Sequence, residues 1–169
     1  MKEVILKELS DQVNAEYYSA YFYLTMSAYA DRAGFKGIAN WLFVQAQEEM
    51  AHGTHIYQHI LERGATPLFA TIELPPVSFD SILDVFERVL KHEQHVTERI
   101  NHIATMAMQE YDHATYQFIL WFVNEQIEEE ASVEDIVSKI LMIGDNLSML
   151  YSFDAELGSR TFNHPFATA

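Results

Sequence analysis

Six residues, Gln47 to His52 (QEEMAH), set Glu49 and His52 three positions apart inside a run whose other spacing is helical. Residues three apart share one helical face. Leu42, Ala46, Ile56 and Ile60 continue that face at steps of three and four. A carboxylate and an imidazole therefore sit in the middle of an apolar stripe. Three other runs repeat the interruption. Leu9, Val13, Ala20, Tyr23 and Ser27 flank Glu16; Ile82, Phe86, Val89, Val96, Ile100 and Ile103 flank Glu93; Ile119, Phe122, Gln126, Val133, Ile136 and Ile140 flank Glu129.

One acid on an apolar stripe is ordinarily an edge residue that reaches water. Four acids at matching heights, one with a histidine beside it, form a different pattern. Facing one another in a low-dielectric interior, four ionised carboxylates are strongly destabilising unless paired, and they take up protons unless cations arrive. No Lys or Arg lies on these stripes. Two divalent cations would neutralise the four acids, and carboxylate with imidazole and no thiolate suits iron, manganese or zinc. Glu49, beside the one imidazole of the set, is the natural bridging ligand.

Such a nest needs long helices to hold it. Prolines occur only at positions 67, 75, 76 and 165, and helical periodicity fills the two long proline-free blocks. The pattern predicts helices over about 4–32, 37–63, 80–108 and 111–143, with a short fifth over about 146–157. Gly34 and Gly37 mark the first turn, Gly64 ends the second helix, and Asp80 is the expected N-cap of the third. Four helices of matched length predict an all-α four-helix bundle. The segment 64–79, GATPLFATIELPPVSF, is long and aperiodic. Extended, it reaches roughly 50 Å, more than a 28-residue helix of about 42 Å. It can therefore cross the whole bundle and make the second and third helices parallel, with Leu68, Phe69, Ile72, Leu74 and Val77 expected to be buried. Residues 1–160 read as the bundle with its short fifth helix, and 161–169 as a C-terminal tail.

Composition narrows the function. A net charge of −15 across 169 residues excludes nucleic acid as the expected partner, because phosphate binding needs clustered Lys and Arg. With no cysteine there is no disulfide, thiolate zinc site or cysteine-ligated iron–sulfur centre. The N-terminus lacks a signal-peptide apolar region, and no apolar run approaches a membrane span, so a cytoplasmic location without membrane contact is the default expectation.

Four motifs together, NAEYYSAYFYL (14–24), QAQEEMAH (45–52), KHEQHVTERI (91–100) and FILWFVNEQIEEE (118–130), resemble the bacterial and archaeal non-haem ferritins over nearly the whole chain. The resemblance implies a ferritin-like bundle in a homo-oligomeric hollow shell of twenty-four subunits. It implies iron storage, with Fe(II) oxidised by O2 or H2O2 at a di-iron ferroxidase centre and kept inside as ferric mineral. By position, Glu16, Glu49 and His52 would hold the first iron, and Glu49, Glu93 and Glu129 the second. Gln126 would stand beside them, hydrogen-bonding the dioxygen species or bound water. Tyr23 matches the family's tyrosine close to the centre, an electron donor; read from the residues alone, it is equally a core tyrosine satisfied by a glutamate. Glu48, Glu125 and Glu128 lie a quarter-turn off their stripes, where residues alone suggest a solvated acidic face; the resemblance implies a third iron site.

Departures also inform. The fourth helix has Glu129 followed by Ser132 rather than a second Glu-x-x-His pair, which argues against bacterioferritin and the rubrerythrins. Met50 stands where bacterioferritin has its haem ligand, but non-haem relatives carry Met there too, and no haem is expected. The acids that line animal ferritin channels fall near Tyr116 and Ile119, neither acidic. His55, His59, His95 and His102 lie off the stripes and are expected to be exposed. Two rival functions fit a di-iron nest: an oxygen-activating enzyme with an organic substrate, and a shell subunit with an inactive or zinc-filled centre.

Overall fold

The computed structural model describes residues 1–166 and forms five helices: α1 (Glu3–Arg32), α2 (Lys36–Glu62), α3 (Ile82–Gln109), α4 (His113–Ile143) and α5 (Leu147–Leu157). The last three residues of the expected tail, 167–169, lie outside the described part. Among the described residues no helix is long and apolar enough to cross a membrane.

Cross-links fix the topology. Tyr23 meets Glu93, Ser19 meets His92 and Gln12 meets Arg99, so α1 and α3 run antiparallel. Arg63 at the end of α2 pairs with Asp112 at the start of α4, and Gln45 reaches Glu129, so α2 and α4 are antiparallel too. The segment between α2 and α3 travels along α1. Its Leu68 N–H donates to Ser10 Oγ, Asn14 donates to the carbonyls of Ala70 and Thr71, and Thr25 donates to that of Pro76. It is a long crossover, as its length predicts.

The crossover's side chains depart from expectation. Leu68, Phe69, Ile72, Leu74 and Val77 are all exposed, Phe69 and Leu74 by more than 70%. Pro67, Pro75 and Phe79 are buried in their place. The cause is geometric. An extended strap on a helical bundle turns half its side chains outward, and Asn14 and Thr25 hold its backbone against α1.

Helix ends follow local chemistry. The α3 N-cap is Ser81, not Asp80: the Ser81 hydroxyl accepts from Asp84 N–H at 3.0 Å, and Asp80 N–H donates to the Asp84 carboxylate. Asp112 caps α4 after a turn at Tyr111, which has φ +57° with its ring in solvent. Gly37 belongs to the first turn of α2 rather than to the preceding loop. The α5 backbone packs on it so tightly that a Cβ there would lie 1.7 Å from the Asp154 carbonyl oxygen. The Asp154 carboxylate accepts from Ile38 N–H at 2.8 Å and so closes the start of α2. Gly37→Ala is expected to push α5 away at a cost of about 1–3 kcal/mol. Thermal unfolding measures it; an unchanged midpoint counts against the close packing.

The apolar core divides in two. One cluster gathers Met26, Ile38, Leu42, Phe86, Val89, Val133 and Ile136; the other gathers Leu9, Val13, Ile56, Ile60, Ile100, Ile119 and Phe122. Glu16, Glu49, Glu93 and Glu129 lie between the two sets along their helices, so the acids form a single layer across the bundle.

Candidate metal centre

Each long helix contributes one carboxylate to this layer, and each is buried: Glu16 1%, Glu49 2%, Glu93 1% and Glu129 9% exposed. Glu16, Glu49 and His52 offer ligand atoms within 4.8 Å of one another, and so do Glu49, Glu93 and Glu129. Glu49 is common to both sets. A further grouping joins His52, Glu125 and Glu129. The His52 Nδ1 lies 3.4 Å from the Glu49 carboxylate. Its Nε2 and the Glu129 Oε2 are buried without a hydrogen-bond partner. Orphaned polar atoms of this kind destabilise the fold unless something else satisfies them. The donor set, all carboxylate oxygen and imidazole nitrogen, fits divalent first-row cations.

Electrostatics agree. Burial, reinforced by the Glu49 charge, pushes the Glu16 carboxyl up to about 8. Burial, reinforced by Glu93, raises Glu49 to about 8. Burial also raises Glu93, against the pull of the Tyr23 and Gln126 hydrogen bonds. Glu129 moves well above the carboxylate range, from burial first and then the Glu49 charge. Near neutral pH the nest therefore holds protons that cations would displace.

Gln126 points its amide at Glu93, donating at 3.2 Å to the carbonyl and 3.3 Å to the carboxylate. Tyr23 donates to Glu93 Oε1 at 2.5 Å, so the core-tyrosine reading and the near-centre reading describe one residue. Burial first, and then the Glu93 charge, keep its phenol protonated. Beside the nest a polar cavity of about 220 Å³ is lined by Glu48, Glu125, Glu128 and Glu129, with Tyr23, Gln45 and Arg160 among its walls. Glu48 and Glu125 are half-buried and Glu128 is exposed.

Two groups of supporting residues escape the stripe analysis. Gln45 donates to Glu49 at 3.0 Å and to Glu129 at 2.6 Å, tying α2 to α4. Gln12 donates to Glu16 at 2.9 Å and accepts from Arg99 at 2.9 Å. Each glutamine stands four positions before its acid, a spacing visible in the sequence. Gln45→Leu is expected to weaken divalent-cation binding by about 10–100-fold. Zinc titration measures this; parent affinity in the variant excludes an orienting role.

Two histidines correct the expected exposure. His59 is 8% exposed and stacks on Phe118 at 3.9 Å, and His55 is half-buried against Phe166 at 3.7 Å. Aromatic residues from α4 and the C-terminal segment cover their face of α2, and burial lowers the pKa of both. His95 and His102 are exposed, as expected.

Residues 6–143 match the ferritin-like domain family. The chain belongs to the ferritin family. Among its relatives, the bacterial non-heme ferritin of Staphylococcus aureus (strain MRSA252) is 42% identical over 159 residues, covering 94% of this chain and 96% of that protein. The Staphylococcus epidermidis protein of the same description is 39% identical over 163 residues, covering 96% of this chain and 98% of that protein. An engineered closed form of the Archaeoglobus fulgidus ferritin superposes with a TM-score of 0.95 at 46% identity, covering 96% of this chain and 99% of that one. The open-pore ferritin of the same archaeon gives 0.94 at 46%, covering 95% and 99%. In this ferritin fold the carboxylate layer is where the four long helices converge.

Proposed function

We propose that this ferritin oxidises Fe(II) at a buried di-iron centre and stores the product as ferric mineral inside a shell of its own copies, in the cytoplasm. One observation carries the reading: Glu49 belongs to both buried ligand sets, so two cations would share one carboxylate. Glu16, Glu49 and His52 would hold one Fe(II), and Glu49, Glu93 and Glu129 the other. Glu48, Glu125 and Glu128 would receive iron on the way out. The chemistry balances with iron as the substrate. Each of two Fe(II) gives one electron, and O2 with two protons becomes H2O2; alternatively H2O2 takes the two electrons and two protons and leaves as two water molecules.

The chain's own groups do the positioning. Gln45 and Gln12 orient the carboxylates, and Tyr23 and Gln126 fix Glu93. Tyr23 would donate an electron at the centre, with Glu93 placed to take its phenolic proton. The two apolar clusters flank the layer along the bundle, and the acidic cavity is its polar neighbour.

An enzyme acting on an organic substrate would need an apolar chamber beside the metals, ordinarily about 300–1,000 Å³. The cavity there is about 220 Å³ and largely acidic, which favours ion traffic instead. Phe69, Leu74 and Val77 of the crossover are large apolar side chains left exposed, which supports self-association. Three measurements test the proposal together: native mass, Fe(II) consumption in air, and iron retained through gel filtration. A monomeric native mass removes the storage reading. A shell that neither oxidises nor retains iron removes the catalytic one.

A further inference from the structure

The segment after α5 does not leave the bundle. Gly158 packs against Gly37, where a Cβ on Gly158 would lie 3.0 Å from the Gly37 Cα. Asn40 Nδ2 donates to the Arg160 carbonyl at 2.9 Å and to the Gly158 carbonyl at 3.4 Å. Phe166 stacks on His55 and sits 4.4 Å from the Trp121 ring. From Asn40 to His55 the segment thus follows α2, passing the carboxylate layer midway.

There it delivers one cation. The Arg160 guanidinium lies over the Trp41 ring at 4.5 Å and pairs with Glu48. Among the residues lining the acidic cavity it is the sole basic one, facing Glu48, Glu125, Glu128 and Glu129. Its Nη1 is buried with no hydrogen-bond partner, so Glu48 alone does not satisfy the guanidinium.

We infer that Arg160 is a tethered counter-ion that competes with metal cations for the acidic cavity beside the di-iron nest. The inference rests on the proposed function, because the cavity's cations are the iron ions moving between the nest and the mineral. The guanidinium holds Glu48 while no cation is present, and a multivalent cation entering the cavity displaces it. Because Asn40 and Trp41 keep the arginine close, it rebinds Glu48 as soon as the cation leaves. Competition of this kind keeps the cavity's hold on iron weak enough to pass the ion onward. Arg160 is accordingly a positioning residue that acts through Glu48.

The test uses the assembled full-length protein with two equivalents of Zn2+ bound per chain, followed by titration with Tb3+. Trp41 lines the cavity and sensitises Tb3+ luminescence there. In Arg160→Gln, Tb3+ affinity for this site is expected to rise roughly tenfold, the effect of removing one nearby positive charge. Arg160→Lys keeps the charge but stacks less well on Trp41, and is expected to fall between the parent and Arg160→Gln. Unchanged or weaker binding in Arg160→Gln overturns the inference, and so does an Arg160→Lys that binds like Arg160→Gln. A crystal of the parent soaked with Tb3+ gives an answer independent of any variant. Arg160 swung off Glu48 supports the competition, and Arg160 still on Glu48 beside a fully occupied Tb3+ overturns it. If the parent fails to take up two Zn2+ tightly, the di-iron reading itself falls. A parent that takes up two Zn2+ but shows no Arg160 effect loses only the counter-ion.

Discussion

Fe(II) oxidation by the double variant Glu49→Gln, His52→Leu is expected to fall more than about a hundredfold in initial rate, with helix content and native mass unchanged. Glu49 is the one carboxylate common to both buried ligand sets, and His52 is the one imidazole in them. Loss of groups that merely orient metal ligands commonly lowers affinity or activity by about 10–100-fold, so removal of two ligands exceeds that range. Folding should survive. Glutamine keeps the shape of Glu49, can still accept from Gln45, and matches the neutral form that burial favours for this carboxyl. Leucine at position 52 fits among the rings of Trp121, Phe122 and Phe166, whose centroids lie 5.5, 5.7 and 6.1 Å from the imidazole. Both side chains are interior, so the exposed surface is untouched. Parent-rate oxidation by this variant would place the chemistry elsewhere.

Stability of the chelator-treated protein is expected to fall as pH rises from about 6.5 to about 8, and bound divalent cations are expected to abolish the fall. The sign follows from the acids. Glu16 and Glu49 titrate near 8 in the folded chain against an ordinary value of 4.5. Below 4.5 both states hold these protons, and their stabilising contribution is complete. Between the two values the native chain binds more protons than the unfolded one, so stability drops with pH until the folded acids ionise. His92 works in the opposite sense lower down, since burial takes its pKa to about 4 from 6.5 and stability gains as the unfolded imidazole deprotonates. That gain is spent by about 6.5, so the acids govern the window above it. Cations that replace the protons remove the penalty and release acid into the buffer. Urea midpoints at a series of pH values, with and without two equivalents of Zn2+, measure both effects. A flat midpoint from pH 6.5 to 8 in the chelated protein excludes buried protonated acids. Glu16→Gln is expected to shallow the slope.

How much of this is legible in the chain alone can be judged residue by residue. Glu16, Glu49, Glu93 and Glu129 are readable because a helix has a fixed period: an acid at a stripe position has to face wherever the stripe faces. The crossover is readable from its length and its prolines. Gln12 and Gln45 are readable in principle, since a residue four positions before an acid has to meet it on the same helix. The ends of helices are less determinate. Asp80 and Ser81 are both acceptable caps, and the side chain of Asp84 decides between them.

Other features depend on which elements meet, and no period encodes that. His55 and His59 look like surface residues on α2 until aromatic side chains of α4 and residue Phe166 cover them. Leu68, Phe69, Ile72, Leu74 and Val77 look like core residues until their strap lies flat along α1 and turns them outward. Arg160 follows the end of α5, far in sequence from Glu48, and only the docking of α5 on Gly37 brings its charge to the acid cavity. The sequence by itself determined the helices, the faces they bury and the acids on those faces, because these follow from local geometry repeated every few residues. The tertiary structure alone decided how near the four acids come to one another, which aromatic rings cover which histidines, and where the segment after α5 places Arg160, because contacts between distant segments depend on packing the whole chain at once.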